Sequence, residues 1–309
     1  MKPSTLARLA AVLAALTVAT LLAALLTRPP RVPTFAHEGL PEKARRLEIE
    51  GPNGRVELKR EDRAWVAAAP AGYPADGKAV EELLKKLPQA TVSEPLTEDP
   101  ERFSLFGFGA SSATRVRVYA DATAPALDFY VGNDGSDYPS AFVRLARQAG
   151  VVQVNGVSAS ELTRAPGEWL SKTVLEVPVD SIQRVLVRGD KASWELAQAG
   201  SGWLVGGKPV PEAAVEQLVK PAREALAKLD ADQVLDAAAA PAAKETGLGQ
   251  PELRIEVQTA GGPVRLAVGR KDASGRRYVQ KAGEDRVLYL VADWRFGSLR
   301  RPAADFLKK

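Results

Sequence analysis

Leu127-Asp128-Phe129-Tyr130-Val131-Gly132 recurs 137 residues later as Val264-Arg265-Leu266-Ala267-Val268-Gly269. Both stretches alternate apolar and variable residues and end on glycine, which is the pattern of a half-buried strand running into a turn. Working outward, the same order of landmarks appears twice. Arg46-Leu47-Glu48-Ile49-Glu50-Gly51 corresponds to Arg184-Val185-Leu186-Val187-Arg188-Gly189, and Trp65-Val66 to Trp203-Leu204. Gly107-Phe108-Gly109 corresponds to Gly247-Leu248-Gly249. Val151-Val152-Gln153-Val154 corresponds to Val287-Leu288-Tyr289-Leu290, and Trp169-Leu170-Ser171-Lys172 to Phe306-Leu307-Lys308-Lys309. The offsets stay between 136 and 140, so the chain carries an internal duplication. The shared landmarks are apolar and glycine positions apart from Arg46/Arg184 and Lys172/Lys309 at their ends, which points to a common scaffold rather than two copies of one active site.

Periodicity supplies the elements. Strands are expected at 47–49, 56–59, 65–67, 115–119, 127–131, 142–145 and 151–154. Their partners in the second copy are 185–188, 194–197, 203–205, 253–258, 264–268, 278–281 and 287–291. Helical spacing of apolar residues appears over Gly77–Leu87, with Asp76 placed to cap it, and over Glu212–Leu229. Short helices are expected near Ser158–Leu162 and Asp293–Leu299. Strands, one main helix, then strands predict an α+β unit with a mainly antiparallel sheet. The expected domains are repeat 1 over 45–173 and repeat 2 over 182–309.

The amino terminus has a different character. Leu9 to Leu26 is uncharged for 18 residues and follows Lys2 and Arg8. A helix of that length, at about 1.5 Å per residue, nearly spans a hydrocarbon core of about 30 Å. The apolar run exceeds the usual signal-peptide core, and Thr27-Arg28-Pro29-Pro30-Arg31 is a poor cleavage site. The expectation is therefore an uncleaved transmembrane anchor over 9–26, with residues 1–8 cytoplasmic and the remainder extracytoplasmic. That places the chain in an inner membrane by a single pass, the bulk of it being periplasmic. Residues 27–44 hold Pro29, Pro30, Pro33 and Pro41 and read as a stiff linker. Ala11, Ala15, Ala19 and Ala23 fall on one helix face, where small residues admit close approach of a second helix; alanine-rich composition produces the same spacing.

Composition narrows the chemistry. The chain has 309 residues, a net charge of +4 and no cysteine, which excludes disulfides and thiolate sites. Its basic residues are dispersed, so no nucleic-acid stripe forms. His37 is the one histidine, which rules out a His-pair metal site. Gly202 to Pro209 resembles a phosphate loop but has Pro209 where Mg²⁺ needs a hydroxyl. Gly132 to Asp137 offers acidic oxygens, and equally the residues of a hairpin turn. No catalytic residue, cofactor or metal ligand is assigned. Phe103, Phe106 and Phe108 cluster in one loop, either to dock a partner or to cover their own core. Arg295, Arg300, Arg301, Lys308 and Lys309 make the carboxyl end basic.

Trp65 before Tyr73-Pro74-Ala75-Asp76, Phe106-Gly107-Phe108-Gly109, Phe129-Tyr130-Val131-Gly132 and Trp169-Leu170-Ser171-Lys172 together resemble the bacterial domain-of-unknown-function 4340 family. The resemblance covers nearly all of the chain beyond the apolar segment. It implies a single-pass bacterial membrane protein accessory to a gliding-motility-type ABC transporter, with the transporter's membrane subunits as partners. It carries over no catalytic residues. The function expected from sequence is a non-catalytic membrane-anchored scaffold or interaction protein; a ligand-binding module with its site between the repeats is the alternative.

Overall fold

The computed structural model describes residues 33–308 except 110, 111, 122 and 191, together with 13, 14, 16–18 and 20. The last group is helical, with Leu13, Leu16 and Val18 exposed. Among the described residues no helix is long and apolar enough to cross a membrane. Ala11, Ala15, Ala19 and Ala23 lie outside them.

The first sheet comprises β1 (Arg46–Gly51), β2 (Gly54–Glu61), β3 (Ala64–Ala67), β4 (Tyr73–Pro74), β5 (Thr91–Val92), β6 (Thr114–Tyr119), β7 (Pro125–Asp134), β8 (Ser140–Leu145) and β9 (Val152–Asn155). Its order is β4-β3-β2-β1-β6-β7-β8-β9-β5, antiparallel throughout. A two-stranded ribbon follows, β10 (Thr173–Glu176) with β15 (Lys228–Asp230). The second sheet uses β11 (Arg184–Gly189), β12 (Ser193–Ala199), β13 (Gly202–Val205), β14 (Lys208–Pro209), β16 (Gln233–Asp236), β17 (Leu253–Thr259), β18 (Gly262–Lys271), β19 (Arg276–Lys281) and β20 (Val287–Ala292). Its order, β14-β13-β12-β11-β17-β18-β19-β20-β16, repeats the first strand for strand. The protein is thus mostly antiparallel β-sheet with few helices, further toward β than the α+β expectation.

The alternation that predicts the strands also sorts their faces. Leu47, Ile49, Val56, Leu58, Val116, Val118, Phe129, Val131 and Val143 point to one side of the first sheet and are buried. The helix Gly77–Lys86 lays Val80, Leu83 and Leu84 into this core and is capped as expected, Ala79 N donating to Asp76 Oδ1 at 3.0 Å. The second main helix differs from the expected Glu212–Leu229. It begins as Glu212–Ala214, widens to a π-helical turn at Val215–Val219 and resumes over Lys220–Ala227. Pro221 lacks an N–H and so cannot donate to the carbonyl of Gln217, inside the widened turn. Lys228–Asp230 leaves the helix to form β15.

Three other features depart from the sequence reading. Residues 33–44 are not wholly a spacer. Phe35 N donates to Ala90 O (2.8 Å), Val92 N donates to Pro33 O (3.0 Å), and Phe35 packs edge-on against Phe129 with ring centres 4.9 Å apart. Leu40 and Ala44 are buried, and Pro41 starts the helical turn Leu40–Lys43 rather than extending the chain. Residues 174–181 likewise join the fold, since Val174 and Leu175 of β10 are buried and β10 stands to the second repeat as Thr34–Phe35 stands to the first. Finally, register moves one landmark. Val143 faces Val152, and its counterpart Val279 faces Tyr289, so Val152 rather than Gln153 matches Tyr289. Val287 to Val291 are all buried, and an unbroken apolar run carries no alternation from which to read register.

Two glycine landmarks have structural causes. Gly107 and Gly247 end short helical turns with φ of 88° and 72°, where a side chain is disfavoured. A Cβ on Gly132 would lie 2.0 Å from the Phe106 carbonyl oxygen, and one on Gly269 would lie 2.1 Å from that of Thr246. In both copies the segment before the central strands is pressed onto the strand end by the same close approach.

Candidate functional site

The place where the two repeats meet is filled. Trp169 is fully buried, and Gly167 lies so close to Val234 that a Cβ would come within 2.3 Å of its carbonyl oxygen. The Tyr73 hydroxyl donates to the Ser171 carbonyl (3.0 Å) and meets the Tyr289 hydroxyl at 3.1 Å. Burial, then the contact with Tyr289, raises the Tyr73 hydroxyl far above its ordinary range, so it stays neutral. Arg286 closes the edge, donating to Ala71 O at 3.1 Å while Glu284 holds it in an ion pair at 2.7 Å. These contacts make an interface. A groove lies elsewhere, on the outward face of the second sheet.

That face is best understood from its counterpart in the first repeat. Outward residues of β1, β6 and β7 there satisfy one another. Glu48, although charged, is buried, receiving Arg117 at 3.0 Å, Arg46 at 3.3 Å and the Tyr119 hydroxyl at 3.4 Å. Arg117 also reaches Glu50 at 3.2 Å. Arg115 binds Asp128 through Nε (3.0 Å) and Nη2 (2.8 Å), beside the Tyr130 ring. The phenylalanine loop seals the far end. Arg144 stacks 4.1 Å from the Phe103 ring centre and 5.8 Å from that of Phe108, and Phe106 meets Phe142 edge-on at 4.9 Å. All three phenylalanines are half-buried, so this loop covers its own sheet. Leu105 is turned to solvent, 73% exposed.

In the second repeat the same positions hold different chemistry. Cross-strand register places Arg188 where Glu50 stands, Arg254 where Arg115 stands, Ala267 where Tyr130 stands and Gln280 where Arg144 stands. The loop phenylalanines give way to Ala243, Thr246 and Leu248. With Ala267 in place of the Tyr130 ring and Gln280 in place of Arg144, this face holds a groove of about 430 Å³, floored by Leu186 and Ala267 and bounded by Arg188, Arg254, Gln280 and Ala282. Arg188 and Arg254 sit directly opposite each other across β11 and β17, both exposed. Neither makes an ion pair or side-chain hydrogen bond among the described residues, whereas the nearby Arg265 and Arg184 are taken by Glu256 and Glu195 at 2.9 and 2.8 Å. The hydrogen bond from Arg265, with the charges of Arg184 and Arg188 close by, holds the Glu256 carboxyl below the usual range.

A second electrostatic cluster lies at the end of the same sheet and is structural. Asp293 receives Arg300 (2.6 Å), Arg277 (2.7 Å) and Lys271 (2.8 Å), while Arg277 also binds Glu252 (2.5 Å) and the Gly269 carbonyl (3.0 Å). Burial alone would raise the Asp293 carboxyl; hydrogen bonds from Lys271, Arg277 and Arg300 outweigh it and hold it well below the carboxylate range.

The remaining sequence candidates are occupied by folding roles. Asp134 accepts from Ala159 N at 2.8 Å and so fixes the turn Ala159–Leu162. Gly206 and Gly207, with φ of 55° and 80°, form the two-residue turn between Val205 and Lys208. His37 Nδ1 accepts from Gly39 N at 3.0 Å in an exposed turn. Trp65 and Trp203 are core residues, whereas Trp294 is 74% exposed beside Arg295.

A family model described as domain of unknown function (DUF4340) matches residues 65–240 and 208–309. The chain belongs to the DUF4340 family. The first DUF4340 match begins at Trp65 and the second just past Trp203, its counterpart in the second repeat. No curated protein and no solved structure matches the chain.

Proposed function

We propose that this DUF4340 protein is a non-catalytic interaction protein, anchored by the apolar segment Leu9–Leu26 and displaying both repeats outside the cytoplasm. The single observation that carries the reading is that one scaffold is used twice with opposite outward faces. One face is closed by its own side chains and the other presents an open groove with uncommitted charge. A duplicated scaffold that keeps its core and varies one face suits recognition, because the core sets the geometry and the face sets the partner. The family resemblance directs the choice of partner to the membrane subunits of a gliding-motility-type ABC transporter. The length of the uncharged N-terminal run and its flanking basic residues support the anchor.

Purification of the tagged full chain from gently solubilised native membranes is the test. Transporter subunits should co-elute in near-stoichiometric amounts, and recovery of the chain alone would sink the proposal. A C-terminal alkaline phosphatase fusion reads the side of the membrane, with activity expected. The groove on the second sheet favours one further reading, an extracytoplasmic ligand-binding module whose site lies within repeat 2 rather than between the repeats.

A further inference from the structure

We infer that the groove on the outward face of the second sheet binds a small amphiphilic anion, a phosphate or carboxylate head carried on a short apolar tail. The argument begins with an electrostatic oddity. Residues directly opposite in an antiparallel pair bring their Cβ atoms to about 5 Å, where like charges repel. Arg188 and Arg254 occupy such a pair, and neither has a carboxylate partner among the described residues. The first repeat shows the alternative that the same scaffold allows, since Glu50 faces Arg115 there. A glutamate at 188 would neutralise the pair without disturbing an exposed position. Two adjacent guanidiniums form a fork of donors that matches the oxygens of one phosphate or carboxylate.

The surroundings define the rest of the ligand. Leu186 and Ala267 give the floor an apolar patch next to the arginines, and the methyl of Ala282 continues it. Ala267 replaces the Tyr130 ring, so the space is made by a missing side chain. Gln280 supplies an amide in place of Arg144, and its Nε2 lies 3.5 Å from Asp285 on the rim. The carboxylates facing the groove are Glu256 and Asp285. Glu256 is hydrogen-bonded to Arg265 and feels Arg188 only through its charge, which leaves Arg188 and Arg254 at the groove's edge with all their side-chain donors free of protein partners among the described residues. A volume of about 430 Å³ suits a head group with a few methylenes and excludes a folded partner.

This rests on the second sheet face being the working surface, not on the anchor or the transporter, so a failed co-purification leaves it standing. The test is calorimetric titration of the full-length protein in phosphatidylcholine nanodiscs with hexyl phosphate, empty nanodiscs being subtracted. Hexyl phosphate should bind at least about tenfold more tightly than inorganic phosphate or hexyl glucoside, because it alone offers both head and tail. Hexanoate identifies the preferred head group. Arg188→Glu and Arg254→Gln should each weaken binding by about tenfold or more while the melting temperature holds or rises. Ala267→Tyr, which restores the ring of the first repeat, should abolish binding in a folded protein. Hexyl phosphate binding no tighter than hexyl glucoside, or binding untouched by Arg188→Glu, would overturn the inference. So would tighter binding of a hexaglutamate peptide, which would assign the groove to an acidic protein segment.

Discussion

The outward faces of the two sheets use one backbone plan to opposite ends. In the first repeat the ions are matched in sign across neighbouring strands and the sheet end is roofed by aromatic rings. In the second repeat the matching is broken at Arg188 and Arg254 and the roof is gone. The inner faces differ less, since both carry an apolar core under the same strand order and Arg277 for Ala141, at the sheet end, is the marked exchange. Packing constrains the inner face at the level of single methylenes, whereas an outward face can exchange charge and size at little expense in stability. Divergence therefore accumulates where a partner can meet it.

The largest expected effect tests whether the scaffolds are equivalent beneath those faces. Gly132→Ala and Gly269→Ala each force a methyl into a backbone carbonyl and should destabilise by about 3 kcal/mol. Chemical denaturation should return similar values for both; a large disparity would break the equivalence. Next comes the ionic corner unique to the second repeat, where Arg277 stands in the place of Ala141. Asp293→Asn should cost roughly 2 kcal/mol by leaving Arg277 short of a partner. The folded Asp293 carboxyl titrates below its unfolded value of about 3.9, so its contribution is present above that pH and lost as the pH falls further. Acid titration of the Asn variant should accordingly show a shallower loss of stability below about pH 4.

Smaller effects follow from the faces themselves. Phe103→Ala removes the ring beneath Arg144 and should cost about 1 kcal/mol, with hydrogen exchange rising in β7 and β8. The smallest effect has the opposite sign. Arg188→Glu should stabilise by about 0.5 kcal/mol by placing a carboxylate opposite Arg254, seen as a raised denaturation midpoint with an unchanged slope. A destabilised variant would mean that Arg188 already has a favourable place on the face.

Much of the scaffold is legible in the sequence because its signals are local. Leu47 to Ile49, Trp65 to Ala67 and Leu127 to Val131 alternate cleanly and become strands with the expected face inward. Two-residue strands such as Tyr73–Pro74 and Thr91–Val92 are too short to show a period, and neither they nor the ribbon of β10 and β15 is legible in the sequence. The phenylalanine loop was visible as a cluster, but only the structure shows Arg144 filling it from another strand. The groove was hidden for a related reason. Arg188 and Arg254 are far apart in the chain, and register alone brings them together. The signal that could have found it lies inside the aligned landmarks, where Glu50 matches Arg188 and Tyr130 matches Ala267. A charge reversal and a lost ring at matched outward positions mark a changed surface.

The short lead segment of the first repeat has a mechanical meaning. The chain enters the fold at Pro33 and is at once tied to Ala90 and Val92 by two backbone hydrogen bonds, with the Phe35 ring wedged against Phe129. Tension applied through the N-terminal segment would fall first on this clasp, ahead of any strand of the nine-stranded sheet. Phe35 then acts as the toggle of a tether, and the force needed to release it sets how hard the chain can be pulled before the first repeat begins to open.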